Sequence, residues 1–319
     1  MTTYKFTLKP QSYFATPLQG DTFLGQLCWG IVAHFGEERL TQLLAQYAQS
    51  PFAVVSDAFP SGYLPKPQLP QHKLGIDNLD PIKRKEIKRK QWIPVADAAK
   101  PISQWMTSAT TDKELLQAAK NEQASALVES HQRMHNSINR LTGTTGEAGF
   151  APYGVQTHWY AEGMLWDIYV VLDEQQLSLD ELTLLITELG RSGYGKDASI
   201  GAGQFSLEQA GEANLPHSSQ ANAVLTLACC APQGQEVKAQ ECYYLPFTRF
   251  GRHGDWAVMV NPYKAPIIMA KTAAVFSPMQ MAEQEYFGQA LGGAGEISKT
   301  LPETIHQGYT PVLRIALDV

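Results

Sequence analysis

The chain is poor in the residues and segments that mark secreted, membrane-spanning and disulfide-stapled proteins. It has four cysteines in 319 residues, and no apolar run approaches the ~20 residues that cross a bilayer. The N-terminus alternates apolar and polar residues, whereas a signal peptide would be basic and then apolar. Without a secretion signal the cysteines are expected to be reduced thiols. The sequence therefore predicts a cytoplasmic protein with no membrane partner and no disulfides.

Charged residues are also scarce, at 18% of the chain against 44% hydrophobic residues. This balance excludes a disordered or fibrous protein and is enough for ordinary buried cores. The formal net charge of −6 counts against a nucleic-acid partner. However, residues 66–100 hold nine of the 25 basic residues and only four acids, a net +5 that leaves −11 for the rest. The net charge therefore conceals one strongly basic segment.

The first 211 residues alternate between strand and helix patterns. Tyr4, Phe6 and Leu8 recur with the period of two that predicts a strand. Asp21 is placed to cap a first helix, and Ser178 with Glu181 forms a capping box before a later one. In chain order the predicted elements are a strand at 4–9, helices at 21–35 and 37–48, a strand with turns over 53–64, a helix-like segment at 112–128, a strand at 164–172, a helix from 178 to about 189 and a strand at 203–207.

A proline-rich, basic stretch interrupts this pattern from residue 65 to about 130. Its centre is the run IKRKEIKRK, which supplies Lys83, Arg84, Lys88 and Arg89. Breakers and dense charge predict an insertion or mobile arm that lies outside the core. Such runs are commonly solvated surface, but this one contrasts with an acidic body, so RNA contact or an acidic docking partner is favoured.

After a polar linker at 212–221 the chain becomes strand-rich, with strands predicted at 224–229, 256–260 and 312–317. The predicted fold class is therefore α+β. Residues 1–211 are expected to form a ferredoxin-like domain, similar to an RNA-recognition motif, in which helices cover one face of the sheet. Residues 222–319 are expected to form a smaller β-rich domain, also of ferredoxin-like type.

A glycine-rich loop at residues 193–203 follows the second main helix. Its glycines permit positive φ and close approach to a ligand, so that amide groups can point at phosphates, and Lys196 adds a cation. Gly190, Gly195 and Lys196 nearly match the phosphate loop of nucleotide-binding enzymes. Asp197 stands where that loop needs Ser or Thr, and the loop follows a helix instead of a strand. A plain helix-to-strand connection explains the glycines equally well.

At this loop the sequence resembles the RAMP superfamily of CRISPR–Cas proteins, which share a glycine loop of this pattern after the second helix of a ferredoxin-like domain. The resemblance covers most of the chain and is to the Cas-five-type subunit of the type III-A Csm interference complex. It is carried by GDTFLGQLCWGI at 20–31, SDAFPSGYLPKP at 56–67, IKRKEIKRKQWIP at 82–94, HNSINRLTGTTGEAGFAPYG at 135–154 and HQGYTPVLRI at 306–315.

The resemblance implies a non-catalytic RNA-binding subunit that needs no cofactor. Such a subunit grips the repeat-derived 5′ tag of CRISPR RNA (crRNA), and it docks on the large polymerase-like subunit and on a backbone RAMP subunit in antiviral defence. Single-stranded RNA is held by phosphate contacts and by stacking on aromatic or guanidinium groups. The predicted RNA-binding residues are Gly193, Tyr194, Gly195, Lys196, Ser199, Gly201, Gly203, His135, Asn136, Arg140, Lys83, Arg84, Lys88, Arg89, Arg249 and Arg252.

Several of these residues have simpler explanations. A hairpin tip accounts for Arg249 and Arg252 as well as RNA contact does. His131 and His135 have helical metal-ligand spacing, but HQRMH lacks the glutamate of zinc proteases and a third ligand is not evident, so no metal site is predicted. Cys229 and Cys230 are adjacent in a predicted strand and are expected to be separate buried side chains.

Two enzymatic alternatives remain open. The first is a metal-independent endoribonuclease that cuts CRISPR precursor RNA, in which His34 with Tyr13 or His135 activates a ribose 2′-hydroxyl. The second is a phosphate-loop nucleotide-binding enzyme that depends on Lys196. The first requires a histidine within proton-transfer reach of bound RNA, and the second requires a strand before the glycine-rich loop.

Overall fold

A computed structural model of the chain describes residues 1–76, 81–121, 123–146, 150–254 and 261–317, and only the backbone of 81–83. Within these ranges the helices are α1 Gly20–Phe35, α2 Glu37–Ala45, α3 Pro81–Arg89, α4 Trp105–Ser108, α5 Asp112–Ala118 and α6 Leu179–Ser192. The strands are β1 Thr2–Pro10, β2 Ala53–Val55, β3 Phe59–Pro60, β4 Tyr63–Pro65, β5 Trp92–Pro94, β6 Val128–His135, β7 Tyr153–Tyr160, β8 Trp166–Leu172, β9 Phe205–Glu212, β10 Ala223–Thr226, β11 Pro246–Arg249, β12 Ile267–Ala270, β13 Val275–Phe276, β14 Tyr286–Gly288, β15 Leu291–Gly292, β16 Ile305–His306 and β17 Tyr309–Ile315.

The first sheet has the antiparallel order β2-β8-β1-β9, and β3 also pairs with β8. With α1 and α6 these strands follow each other in the chain as β1-α1-β2-β8-α6-β9. The predicted alternation of β1 is confirmed, because Phe6 and Leu8 are buried in one core with Leu27 of α1 and Leu185 of α6. Every residue of β8 is buried, since a second core, which includes Tyr169, covers the other face of the sheet.

Of the two helix caps predicted from the sequence, the structure has the one before α6 and lacks the one before α1. The capping box at Ser178 is confirmed by reciprocal hydrogen bonds with Glu181. The expectation that Asp21 caps α1 is wrong, because the N-cap is Gln19 and the helix begins at Gly20. A Cβ at Gly20 would lie 2.1 Å from the carbonyl oxygen of Val55, so this helix start fits tightly against β2.

The basic insertion is part of the core, so the expectation of a stretch lying outside it is wrong. Leu74, Ile76 and Ile93 are buried in the second core together with Leu225 and Leu313 from the C-terminal strands. Apolar residues separated by prolines escape a periodicity search, yet they bury as well as those in regular elements. The basic run forms α3, and Ile87 packs this helix on the same core.

The segment predicted as helical at 112–128 is helical only as far as Ala118, and a long β-hairpin follows it. Helix α5 ends at Ala118, and β6 begins at Val128 and pairs antiparallel with β7 from Val128 opposite Tyr160 to His135 opposite Tyr153. Most side chains of β6 are exposed, because the hairpin projects from the body. The hairpin carries the segment 135–154 that the RAMP resemblance singled out.

The C-terminal part is β-rich, as predicted. Its main sheet has the antiparallel order β13-β10-β17-β14, and the strands predicted at 224–229 and 312–317 correspond to β10 and β17. The strand predicted at 256–260 lies outside the described residues. The ferredoxin-like prediction for this part is wrong as far as the described residues 222–254 and 261–317 extend, since they contain no α-helix and that fold needs two.

The β-rich part is fastened to the first sheet by buried polar contacts. The side-chain amide of Gln307 donates to the Val55 carbonyl at 2.8 Å and its oxygen accepts from the Val55 amide at 3.0 Å. The Tyr309 hydroxyl donates to the Ala48 carbonyl at 2.7 Å. These bonds fix the second sheet against β2. In the part of the chain described here, no helix has the length and apolarity needed to cross a membrane.

Candidate nucleic-acid interface

The glycine-rich loop is held in shape by its backbone. Gly193 ends α6 with φ of 97° and donates to the Leu189 carbonyl at 2.9 Å. Gly203 has φ of 74°, and a Cβ there would lie 2.1 Å from the Tyr194 carbonyl oxygen. Both positions need glycine, because an L side chain meets a backbone clash and an unfavourable φ at once. The loop is therefore a built structure and not a plain flexible connection.

Three of the four glycine amides in the loop are hydrogen-bonded within the protein. The amides of Gly193, Gly201 and Gly203 donate to carbonyl oxygens of Leu189, Ala198 and Tyr13 at 2.7–3.0 Å. An amide already satisfied by a carbonyl is not available to a ligand. The exposed polar side chains of the loop are Lys196 and Ser199, and Ile200 is exposed beside them.

The prediction that Tyr194 stacks on a base is wrong. Its ring is fully buried and packs 5.7 Å from the ring of Phe23. Its hydroxyl donates to the Pro17 carbonyl at 2.9 Å and accepts from the Gln19 amide at 3.3 Å. Burial raises the pKa of this hydroxyl well above its ordinary value. Tyr194 thus fixes the loop to the segment before α1 and does not face solvent.

Residues 11–16, between β1 and α1, join the glycine-rich loop to the β6–β7 hairpin. On one side the Tyr13 carbonyl accepts from Gly203, and the Thr16 hydroxyl accepts from the Lys196 amide at 3.0 Å. On the other side Phe14 and His158 exchange backbone hydrogen bonds of 2.9 and 2.7 Å. Hydrogen bonds therefore join the loop, residues 11–16 and the hairpin, and the exposed side chains of these three segments are called here the loop–hairpin surface.

An aromatic and cationic cluster lies at the middle of this surface. The Tyr13 ring is 5.4 Å from the Trp159 ring, and the Arg133 guanidinium carbon lies 5.2 Å from the Tyr13 ring centre. Trp159 is half exposed. Guanidinium and indole groups in this arrangement present flat faces for a base and a cation for the backbone. Sequence analysis missed Arg133 and Trp159, because only the strand register of an unpredicted hairpin places them on one face.

An open groove of about 510 Å³ runs beside this cluster. The carboxylate of Glu129 in its wall accepts from the Ser125 hydroxyl at 2.7 Å and lies 3.4 Å from His131 Nε2. Hydrogen bonds from Ser125 and His131 lower the pKa of Glu129, so this acid stays charged but locally paired. The groove is lined by Glu129, His131, Gln132, Arg133, Thr157 and Trp159.

The predicted group at residues 135–140 lies at the far end of the hairpin. The His135 ring stacks on the Tyr153 ring at 5.6 Å, while Asn136 and Arg140 are exposed. Five residues separate Tyr153 from His158, so this end is roughly 17 Å further along the strand than the contact with residues 11–16. Exposed apolar side chains surround it, namely Met134, Ile138, Leu141 and Tyr153.

Arg249 has a different role from the predicted RNA contact. Its Nε lies 2.7 Å from Asp21 Oδ2, and its terminal nitrogens donate to Asp21 Oδ1 at 2.8 Å and Gln19 Oε1 at 2.9 Å. His306 Nε2 is 3.2 Å from the same carboxylate. Burial alone would raise the pKa of Asp21, but His306 and Arg249 lower it below its ordinary value. Arg249 therefore joins the β-rich part to the start of α1 through an ion pair.

The other predicted cations are dispersed. Arg252 lies over the Tyr263 ring at 5.7 Å in the connection between β11 and β12, as the hairpin-tip explanation expected. Lys88 and Arg89 are exposed on α3 and Arg84 is partly exposed, whereas the side chain of Lys83 lies outside the described residues. Because α3 packs on the second core, its RNA contact stays a prediction separate from the loop–hairpin surface.

The geometry counts against the pairing of His34 with Tyr13 and against the phosphate-loop alternative. His34 lies in the last turn of α1, about 22 Å along the helix from Gln19, where Tyr194 anchors the loop. It is therefore not placed to share a proton transfer with Tyr13 or the loop. Gly190 lies within α6, and the loop leads from that helix into β9, the reverse of the strand-to-helix order that puts a helix N-terminus at a phosphate.

The described residues contain neither a disulfide nor a cluster of metal-ligating side chains. The four cysteines are free thiols, and Cys229 and Cys230 are buried as expected. Burial raises the pKa of both thiols well above the ordinary value. No group of three or more His, Cys, Asp or Glu side chains in this part of the chain is arranged to hold a metal ion.

Comparison with known proteins identifies the fold. No family model matches the sequence, and no curated protein matches it. Among solved structures, the Csm3-Csm4 subcomplex of the type III-A CRISPR-Cas interference complex matches with a TM-score of 0.59 at 12% identity, over 99% of both chains. A Csm1-Csm4 cassette in complex with pppApA matches at 0.58 and 13% identity, over 100% of this chain and 99% of that chain. A Csm1-Csm4 cassette in complex with AMPPNP matches with a TM-score of 0.57 at 15% identity, over 100% of both chains.

The mixed fold with several antiparallel sheets is thus similar, over the whole length of this chain, to the fold of a chain in the Csm1-Csm4 cassette and in the Csm3-Csm4 subcomplex. At 12–15% identity the likeness establishes the fold and not the residues that bind ligands. The resemblance drawn from the sequence is confirmed at this level.

Proposed function

We propose that this chain is a non-catalytic, crRNA-binding subunit of a type III CRISPR interference complex, acting in the cytoplasm in antiviral defence. The observation that carries the proposal is the loop–hairpin surface, on which residues 11–16 connect the glycine-rich loop that bears Lys196 to the hairpin that bears Arg133 and Trp159. The βαββαβ order of the first sheet supports a ferredoxin-like RAMP domain at its base. The full-length likeness to Csm4 chains supports the place in the complex.

On this surface the chain grips the repeat-derived 5′ tag by two kinds of contact. Lys196 and Ser199 neutralise and hydrogen-bond phosphates at the glycine-rich loop, where both side chains are exposed. One base stacks against Trp159 beside Arg133 and Tyr13. Asn136 and Arg140 hold the strand at the far end of the hairpin. No step requires proton transfer or a bound metal.

The subunit bridges two protein partners in the same complex. The solved structures that share its fold are of Csm4 with Csm1 and of Csm4 with Csm3. We infer equivalent partners for this chain, namely a large polymerase-like subunit and a backbone RAMP subunit. Bound RNA then connects the three proteins, because it leaves the tag-binding surface and continues along the backbone subunits.

The test is single-stranded RNA binding by the purified chain, measured between 50 and 300 mM salt. Trp159→Ala should weaken binding roughly 5- to 150-fold through lost stacking, with the salt slope unchanged. Lys196→Ala should instead lower the slope of log K against log salt by about 0.7, the value for one phosphate contact.

The matched control is Lys299→Ala, which removes an exposed lysine from the β-rich part and should leave affinity and slope within error. Unchanged affinity in folded Trp159→Ala and Lys196→Ala variants would show that the RNA lies elsewhere. RNA cleavage by the purified wild-type chain would contradict the non-catalytic role.

A further inference from the structure

Helix α3 lies in the densest run of cations in the sequence. Residues 83–90 contain six Lys or Arg residues and one acid, Glu86. The side chains of Lys85, Lys88 and Arg89 are exposed, and residues three and four apart lie on one face of a helix. These three cations are called here the α3 face, and the loop–hairpin surface does not include them.

Helix α3 is held to the body by its other side. Ile87 packs on the second core. The Lys66 ammonium donates to the Lys88 carbonyl at 3.2 Å, and the Lys66 amide donates to the Gln91 carbonyl at 2.7 Å. These contacts fix the C-terminal end of α3 against the segment that follows β4. The cations therefore extend from a positioned backbone, which reduces the entropy lost when they bind a ligand.

Few carboxylates compete for these cations. Among the described residues, no ion pair includes Lys85, Lys88 or Arg89. Residues 61–76 contain no Asp or Glu, and Asp77 and Asp80 lie outside the described residues. Besides the exposed Glu86, each acid within 84–121 is bonded to a neighbouring group, namely Asp97 to Lys100, Asp112 to Trp92 and Glu114 to Thr111. The α3 face therefore has an excess of positive charge.

The surface around the α3 face lacks the apolar centre of a protein docking site. In the described residues 61–76 and 84–121, every large apolar side chain is at least partly buried. The centres of protein–protein interfaces are apolar and depleted of lysine. Lysine and arginine contacts to phosphates, by contrast, supply the sequence-independent part of nucleic-acid binding. A phosphate backbone therefore matches the α3 face better than an acidic protein does.

Trp92 lies between α3 and the base of the β6–β7 hairpin. It follows the last residue of α3 by three positions and packs on the second core together with Ile87. It also packs on a smaller core with Val128 and Tyr160, the residues at which the hairpin begins and ends. Helix α3 therefore adjoins the hairpin base, so one RNA strand can contact both.

We propose that the α3 face is a second RNA-contact site, which holds the phosphate backbone of the bound crRNA next to the segment on the loop–hairpin surface. Lys85, Lys88 and Arg89 each neutralise a phosphate. The contact is independent of base sequence, because the described residues around α3 expose no ring on which a base could stack. This inference rests on the proposed function, which supplies the RNA.

The test is binding of the full chain to oligo-uridine and to a mixed-sequence RNA over a range of salt concentrations. Both RNAs have about 30 nucleotides, more than the roughly 4–16 nucleotides of one binding site. The triple variant Lys85→Gln/Lys88→Gln/Arg89→Gln should lower the slope of log K against log salt by about 2, since each phosphate contact contributes about 0.7. The decrease should be equal for the two RNAs. Glutamine preserves the helix propensity of α3.

The matched control is the triple variant Lys238→Gln/Lys271→Gln/Lys299→Gln, which removes the same charge from exposed lysines of the β-rich part. It should keep the wild-type slope within error. A slope lowered equally by the two triple variants overturns the α3 contact, because net charge alone would then explain the effect. Thermal unfolding of both variants confirms that they are folded.

The remaining outcomes separate the α3 contact from the function on which it rests. An unchanged slope in the α3 variant, with Trp159→Ala and Lys196→Ala behaving as predicted, overturns the α3 contact and leaves the proposed function standing. If the α3 variant alone lowers the slope while Trp159→Ala and Lys196→Ala bind RNA like wild type, the α3 contact stands and the loop–hairpin surface fails. Lost binding of the α3 variant to a Csm1-like or Csm3-like subunit, with an unchanged slope, overturns the inference in favour of a protein dock. Failure of the wild-type chain to bind either RNA overturns both proposals.

Discussion

Removal of the Arg249 side chain is expected to destabilise the fold strongly without acting on RNA directly. Arg249→Met keeps the alkyl volume and deletes the guanidinium that holds Asp21, Gln19 and Thr22. The Asp21 side chain has no solvent exposure, so its charge would remain buried with His306 and the Thr22 amide as its remaining partners. Breaking a buried ion pair on one side costs about 3–5 kcal/mol, and we expect roughly 3 because His306 remains at 3.2 Å.

A double-mutant cycle isolates the pair from the packing of β11 and β12. Asp21→Asn removes the buried charge, so Arg249→Met should cost less in that background, with a coupling of about 1–3 kcal/mol. The assay is urea unfolding followed by circular dichroism, at one pH for all four proteins. The matched control is Arg252→Met, whose guanidinium lies on an exposed ring and whose loss should cost less than about 0.5 kcal/mol.

The reasoning is refuted if Arg249→Met and Arg252→Met have the same free energy of unfolding, or if the cycle shows no coupling. The RNA readout is independent of this stability measurement. A folded Arg249→Met variant should keep the salt slope of RNA binding, because the guanidinium is already paired with Asp21 of α1. If the slope of log K against log salt fell by about 0.7, Arg249 would instead contact a phosphate.

Two further predictions concern stability. Burial raises the pKa of Asp57 from 3.8 to about 6, so the fold disfavours the charged form and loses about 2 kcal/mol as pH rises from about 4.5 to 7.5. Asp57→Asn should remove that loss, which urea unfolding at pH 4.5 and 7.5 measures; an unchanged difference between the two pH values contradicts the assignment. Gly203→Ala should destabilise more than Gly201→Ala, since both have positive φ but only the first meets backbone, and a Cβ at Gly201 has nothing within 4 Å. Equal losses on thermal unfolding would show that the close approach to Tyr194 is unimportant.

Local sequence patterns predicted the elements whose causes are local. The alternation at Tyr4, Phe6 and Leu8 and the capping box at Ser178 depend on neighbours within a few residues, and both are confirmed. The β6–β7 hairpin was missed for a physical reason. It projects from the body, so both faces of β6 are largely exposed and the strand lacks the alternation that burial of one face produces.

Long-range partners explain the errors at the candidate site. Tyr194 is buried because its hydroxyl meets Pro17, and Arg249 is unavailable because it meets Asp21, contacts that join residues 177 and 228 positions apart. The sequence next to Tyr194 or Arg249 gives no sign of a partner so far away along the chain. Lys196, Ser199, Asn136 and Arg140 stay predictions, and the structure shows all four exposed. Thus the sequence placed candidate residues on the loop and the hairpin, but it could not show which of those side chains face solvent.

The most direct measurement is photo-crosslinking of the RNA that co-purifies with this chain from its host, with the RNA sequenced and the crosslinked peptides identified. The proposed function predicts small RNAs that share one 5′ tag, crosslinked to peptides that contain the glycine-rich loop, Trp159 or Arg140. Absence of bound RNA, or crosslinks confined to peptides outside the loop–hairpin surface, would contradict it.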